Sequence, residues 1–240
     1  MMKYIPGFFI ALLISATVHA QKDIINDPNA ELRTINGSFT KIKVSNAIDL
    51  YLTQSETEAV AVSATENYIK ENIRTIVEDG TLKIYYEGSK GIFGFKKRKM
   101  RAYVSFRQLE KLYASGASDV QVSGMISGNS LALIMSGASD FKGAVNLSEL
   151  SMELSGASDV TIKGIATILT IESSGASDVK GYDLIADKCT AKASGASDVH
   201  ITVTKELNAN ASGASDILYK GEAVLKENHS SGASNVSKKG

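Results

Sequence analysis

One pentapeptide, Ser-Gly-Ala-Ser-Asp, constrains this chain more than any other feature. It begins at Ser115, Ser136, Ser155, Ser174, Ser194 and Ser212, and a further copy at Ser231 ends in Asn235. Successive starts lie 21, 19, 19, 20, 18 and 19 residues apart. A near-constant period of that length marks a solenoid, in which each repeat is one structural unit stacked on the last. Function must be sought along a stack rather than in a single pocket.

The residues between the copies say what the unit is. Before a copy, apolar residues recur at alternate positions: Leu131, Leu133 and Met135; Leu150, Met152 and Leu154; Leu207, Ala209 and Ala211. After it a second run alternates, with Val120 and Val122, Val160 and Ile162, Val199 and Ile201, and Ile217 and Tyr219. Gly124, Gly143, Gly164, Gly181 and Gly221 mark a second corner. Alternation is the signal of a strand, and a helix of about eight residues would consume nearly half the repeat. The expected fold is all-β, a parallel β-helix with 19–20 residues per coil. It is expected to be right-handed because crossovers between parallel strands nearly always are.

Strand parity then suggests roles within the pentapeptide. The first Ser and the Asp adjoin inward apolar residues and should point outward. Gly supplies freedom at the bend, Ala should tuck beneath it, and Ser and Asp can accept turn amides. Stacking aligns Asp119, Asp140, Asp159, Asp178, Asp198 and Asp216 in one column, the candidate ligand face. Residues 45–52 keep Ser45, Ala47, Asp49, Leu50 and Leu52 of the pattern and read as a degenerate eighth copy. The N-terminal third therefore belongs to the same single domain, residues 37–240. Within it Val60-Ala61-Val62 alternates, residues 66–73 suit a short helical turn, and a strand follows the Asp79-Gly80 turn.

Residues 1–20 read as a signal peptide: Lys3, an apolar stretch over residues 8–16, and a small-residue cleavage site at Val18-His19-Ala20. Its apolar run is too short to span a bilayer comfortably. Residues 21–36 form a polar lead-in. Export to the periplasm, the outer membrane or the exterior is expected, with no membrane span in the mature chain. Loss of Lys3 leaves 25 basic against 26 acidic residues, which gives no pull toward nucleic acid. The single cysteine, Cys189, sits at the inward place of Leu131 and Leu150 and is expected to be a buried free thiol. Residues 88–101 interrupt the pattern as a loop insertion. There Phe93, Phe95, Lys96, Lys97, Arg98 and Lys99 mix aromatic and basic groups suited to an anionic membrane or lipopolysaccharide surface. The plainer reading is a solvated loop whose aromatics cover the stack.

Several segments together resemble the family described as putative auto-transporter adhesins with a head GIN domain, secreted proteins found mainly in Bacteroidetes. They are Phe39-Thr40-Lys41-Ile42-Lys43-Val44, Ile48-Asp49-Leu50-Tyr51-Leu52-Thr53-Gln54, Asp79-Gly80-Thr81-Leu82-Lys83-Ile84 and the pentapeptide series. The resemblance spans residues 38–236. It implies a β-helical envelope or extracellular protein with an adhesive role, and it supplies no catalytic residues. The sequence ends at Ser237-Lys238-Lys239-Gly240 without a translocator barrel, so the resemblance does not indicate how the protein is displayed.

Three functions compete. A repetitive face suits glycans or cell-surface components, through many weak contacts that add. Polysaccharide cleavage would need acids with separated pKa values, whereas here the acids recur identically and only His200 and His229 remain after cleavage. In a purely structural protein the Asp column would only shape turns. No cofactor is expected. The pattern Gly-Ala-Ser-Asp-Val-x-Ile partly matches the calcium nonapeptide of β-rolls but lacks its second Gly and its nine-residue period. Nor is a metal needed to hold the column together. Carboxylates about 4.8 Å apart repel by only about 1 kcal/mol in water, and an accepted turn amide returns about 0.5–2 kcal/mol. The C-terminal end lacks an obvious capping helix, and its strand edges favour end-to-end association.

Overall fold

The computed structural model describes residues 27–88 and 99–240. The lead-in contributes one strand, β1 (Glu31–Arg33); β2 (Lys41–Val44) and β3 (Ile48–Gln54) follow and form the first coil in the sequence. Then come β4 (Ala59–Ala64), helix α1 (Asn67–Glu71), β5 (Ile73–Glu78), β6 (Thr81–Tyr86) and β7 (Met100–Phe106). From there β8 (Lys111–Ala114), β9 (Val120–Ser123), β10 (Ile126–Met135), β11 (Phe141–Leu154), β12 (Val160–Ser173), β13 (Val179–Ala193) and β14 (Asp198–Gly213) climb coil by coil. The stack ends with β15 (Asp216–Lys220), β16 (Val224–Gly232) and β17 (Asn235–Lys238). The architecture is a β-solenoid of about seven turns.

Neighbouring coils pair in parallel and in register. Leu112 lies beside Leu133, Leu133 beside Met152, Met152 beside Ile171, Ile171 beside Ala191, and Ala191 beside Ala209. All six are buried, so each coil buries one face of its alternating strands against the coils on either side. Fully burying one of these leucine, isoleucine or methionine side chains stabilises by about 1.5–3 kcal/mol relative to exposure. Cys189 lies between Leu169 and Leu207, and burial pushes its thiol up to about 12. At Gly143 and Gly164 the expected corner bends the strands without breaking them, and β11 and β12 run on through it because the inter-coil ladder continues across the bend, whereas β9 and β15 end just before Gly124 and Gly221.

The N-terminal third departs from a simple coil order. Strands β2 and β3 each have two parallel neighbours, with β6 and β7 on one side and β8 and β9 on the other. The coil formed by β6 and β7 thus lies outside the one that precedes it in sequence. Beyond it β4 runs antiparallel to β7, β5 antiparallel to β6, and β1 antiparallel to β4. The short helical turn predicted near residues 66–73 is α1, while Ile73 already begins β5. Asp79 and Gly80, at φ 50° and 69°, close the β5–β6 hairpin, as two-residue turns favour positive φ. Asp27 anchors the lead-in: it accepts hydrogen bonds from Tyr103 Oη at 2.7 Å and from Arg101 at 3.3 Å. Burial opposes ionisation of this carboxyl, but hydrogen bonds from Tyr103, Ser63, the Asn29 amide and Arg101 hold it below the ordinary 3.8.

The pentapeptide corner differs from the expectation in one respect. Ala117 and its equivalents are exposed, and it is the fourth-place serine that is buried: Ser118, Ser139, Ser158, Ser177, Ser197 and Ser215 are all 0 % accessible. Gly at φ near 80° breaks the strand alternation, so parity counted from the strand fails beyond it. In Ser139, Ser158, Ser197 and Ser215 the buried hydroxyl closes the turn by donating to the first-place serine carbonyl, at 2.9 Å for Ser197 to Ser194 and 2.8 Å for Ser215 to Ser212. Between coils the Ala amide donates to the preceding Gly carbonyl, as in Ala157 to Gly137 at 2.7 Å and Ala176 to Gly156 at 2.8 Å. In the degenerate copy Asn46 and Ala47 take φ of 66° and 59° at the corresponding corner.

Candidate functional site

Register places Asp119, Asp140, Asp159, Asp178, Asp198 and Asp216 in one outward column. Asp49 extends it at one end, since Leu50 pairs with Val120, and Arg101 lies beside Asp49 on the next coil. Asn235 closes the other end beside Asp216. Two residues further along each coil runs a second outward column: Tyr103, Tyr51, Gln121, Lys142, Thr161, Lys180, His200 and Leu218. These side chains change from coil to coil with no fixed pattern, so a reading guided by the repeat passes over them. Their parity with the Asp is the one signal that would have found them.

The two columns flank a groove of about 380 Å³ reaching from Asp49 and Tyr51 to Asp159, Thr161 and Lys180. Its chemistry is mixed. Lys180 Nζ bonds Asp159 Oδ2 at 2.8 Å, and that bond, against some desolvation, raises the lysine above its ordinary value. Burial first, and then the charge of Asp119, raise the carboxyls of Asp49 and Asp140 above 3.8. The Asp119 and Asp159 amides oppose this by bonding the carboxylates of Asp49 and Asp140. Tyr51 stacks on Tyr103 at 5.1 Å, and His200 stacks on Tyr182 at 5.0 Å, with Lys220 Nζ 4.7 Å from the Tyr182 ring centre. The face therefore has an aromatic pair near either end of its lysine and aspartate section.

The raised carboxyls give a pH dependence whose sign can be worked out. A carboxyl with a native pKa above its unfolded one binds its proton more tightly in the folded chain. Folding is then penalised at neutral pH, and the penalty is lifted as pH falls through the raised native value toward 3.8. Asp140→Asn is expected to raise the denaturant midpoint at neutral pH and to flatten its climb over that window. Parallel wild-type and variant profiles would refute this account of Asp140.

A second groove, of about 450 Å³, lies on the other flank of the corner. First-place Ser155, Ser174, Ser194 and Ser212 line it with Glu153, Glu172 and Lys192, but no aromatic residue does. Of the basic and aromatic insertion, Phe93, Phe95, Lys96, Lys97 and Arg98 lie outside the described residues, as does the signal peptide. Lys99 is anchored through backbone bonds with Thr65 just before β7, which begins at Met100, inside the expected insertion; the Lys99 charge lowers Asp49. Among the described residues no group of three His, Cys, Asp or Glu side chains could hold a metal, and no helix is long and apolar enough to cross a membrane.

Fold and face together define a capped β-solenoid with grooves along its sides. The chain belongs to the family described as putative auto-transporter adhesin, head GIN domain, which matches residues 38–223. Among solved structures it is similar to a putative adhesin from Bacteroides fragilis, with 23 % identity, a TM-score of 0.80, and coverage of 87 % of this chain and 95 % of that one. A putative adhesin from Parabacteroides distasonis gives 19 %, 0.70, 87 % and 95 % in the same terms. A putative lipid binding protein from that organism gives 21 %, 0.68, 90 % and 98 %. At these identities the likeness is one of fold. A comparison with curated proteins returned no match.

Proposed function

We propose that the protein is an exported adhesion module of the cell envelope that holds polymeric surface ligands, glycans foremost, on the face bearing the aspartate column, and that it binds without cleaving. The observation that carries this reading is the groove across five coils, with Tyr51 at one end and carboxylate, amide, hydroxyl and ammonium groups along its length. Sugar rings present apolar faces to aromatic side chains and hydroxyls to such polar groups. Coils spaced by about 4.8 Å repeat these contacts along an extended ligand, so weak single contacts add. The buried serine hydroxyls close the turns, which leaves the outward aspartates less needed as a turn device. The adhesive description of the family agrees with a surface or secreted location.

The test is retention of the purified chain on an array of bacterial and host polysaccharides, with released fragments scored at the same time. Retention without fragments is expected, and Tyr51→Ala should weaken it about tenfold, the upper worth of one aromatic contact. Retention indifferent to Tyr51→Ala would move the ligand off this groove. Fragments would make the protein an enzyme, and neither retention nor fragments would leave a structural role.

A further inference from the structure

The two ends of the stack are built differently. At the N-terminal end β4 and β5 run against their neighbours, and two edge strands remain: β1, three residues with the charged Glu31 and Arg33, and β5, six residues that carry Arg74 and Glu78. Short charged edges resist pairing with another chain. At the other end, among the described residues, β16 pairs with β14 alone and β17 with β15 alone. One side of the nine-residue β16 is thus an unpaired backbone edge.

The direction of its free groups follows from the ladder. Outward residues donate to the preceding coil: Ala132 to Glu110, Ser136 to Ala114, Asn235 to Ser215. Backbone groups alternate between the two neighbours of a strand, so inward residues direct theirs to the following coil. Asn228 and Ser230 occupy the inward places beside Ala209 and Ala211, and their amides and carbonyls point off the edge. These polar residues, exposed where alanines are buried one coil earlier, suit a terminal coil better than a continuing core.

We propose that this edge of β16 pairs antiparallel with β16 of a second copy, centred on Asn228, to give a closed two-fold dimer joined tail to tail. Antiparallel partners must share a face, so the two-fold axis must pass through a residue rather than between two. Centring on Glu227 would oppose two carboxylates, and centring on His229 would oppose two imidazoles. Centring on Asn228 sets Glu227 against His229 of the partner subunit and repeats that pair by symmetry. Asn228 then exchanges both backbone bonds with its own symmetry mate, which its outward-pointing groups allow. The contact consumes the β16 edge of both copies, and a two-fold contact is closed, so assembly through it stops at two. The pairing does not depend on what the ligand is, but it would join two adhesion faces in one particle and multiply weak binding.

Size-exclusion chromatography with light scattering on the full chain, over a wide concentration range, tests this. The expected mass is that of two chains. Asn228→Pro removes an amide that points away from β14, a place where a strand tolerates proline, and should give the mass of one chain, with the melting midpoint of wild type diluted until it too is monomeric. Glu227→Lys should also dissociate the pair, and combining Glu227→His with His229→Glu should restore it. A wild-type chain that stays monomeric, a mass that grows without limit, or a dimer untouched by Asn228→Pro overturns the proposal. A dimer that tolerates Glu227→Lys overturns the register.

Discussion

Gly156→Ala is expected to destabilise the fold by about 2–5 kcal/mol, although the added group is a single methyl at an exposed corner. Two penalties combine. Gly156 has φ 81°, where an L-residue with a Cβ costs about 1–2 kcal/mol. The added Cβ would also stand 2.4 Å from the Gly137 carbonyl oxygen and 3.0 Å from its nitrogen. That carbonyl accepts the Ala157 amide at 2.7 Å, so it cannot move away without loosening the bond that joins the two coils. Relieving such overpacking costs about a further 1–3 kcal/mol. Gly80→Ala separates the two effects, because Gly80 also has positive φ, 69°, but nothing lies within 4 Å of its added Cβ. It should show the backbone penalty alone. Urea midpoints at unchanged slope measure both variants. Equal losses would mean that close approach of the coils is not what fixes glycine at this corner.

The same corner shows how far the sequence can be read. A period of 18–21 residues and flanking alternation suffice for a parallel coil, because each repeat sees nearly the same neighbours. Asp49 could be aligned with Asp119 before any coordinates, and register agrees, with Leu50 beside Val120. The buried serines were not legible, because side-chain parity is a property of extended backbone and Gly at φ near 80° resets it. The cap was hidden for another reason. Val60-Ala61-Val62 reads the same in a parallel and an antiparallel pairing, and a segment that does not repeat gives no hint of its partner. Nor could the period reveal that β6 and β7 stack outside β2 and β3. The candidate groove divides along the same line. Its aspartates repeat and were visible, whereas Tyr51, Gln121, Lys142, Thr161 and Lys180 follow no coil-to-coil pattern and gain meaning only when register sets them side by side.

The second large effect lies inside the stack. Phe141→Ala is expected to cost about 3–5 kcal/mol, the range for emptying a buried aromatic site. Phe141 is 1 % exposed and stands between Val120 and Val160 in an inward column. This coil therefore holds a ring where its neighbours hold valine, and it finds room at the next inward place. A Cβ at Gly143 would meet Phe141 Cζ at 2.9 Å and Val122 Cγ2 at 2.8 Å, so glycine here makes space for the ring and for the valine one coil below. Gly143 lacks the positive φ of the corner glycines, so alanine there meets a packing penalty and no backbone one. Gly143→Ala alone should cost about 1–3 kcal/mol from overpacking. In the Phe141→Ala background the ring contact is gone, although Val122 still resists. The double variant should then be more stable than the sum of the single losses predicts, by about 0.5–3 kcal/mol as for residues in direct contact. Denaturation of the two single variants and the double variant closes the cycle. Strict additivity would mean that ring and glycine are not matched to each other, and that Val122 alone requires the glycine.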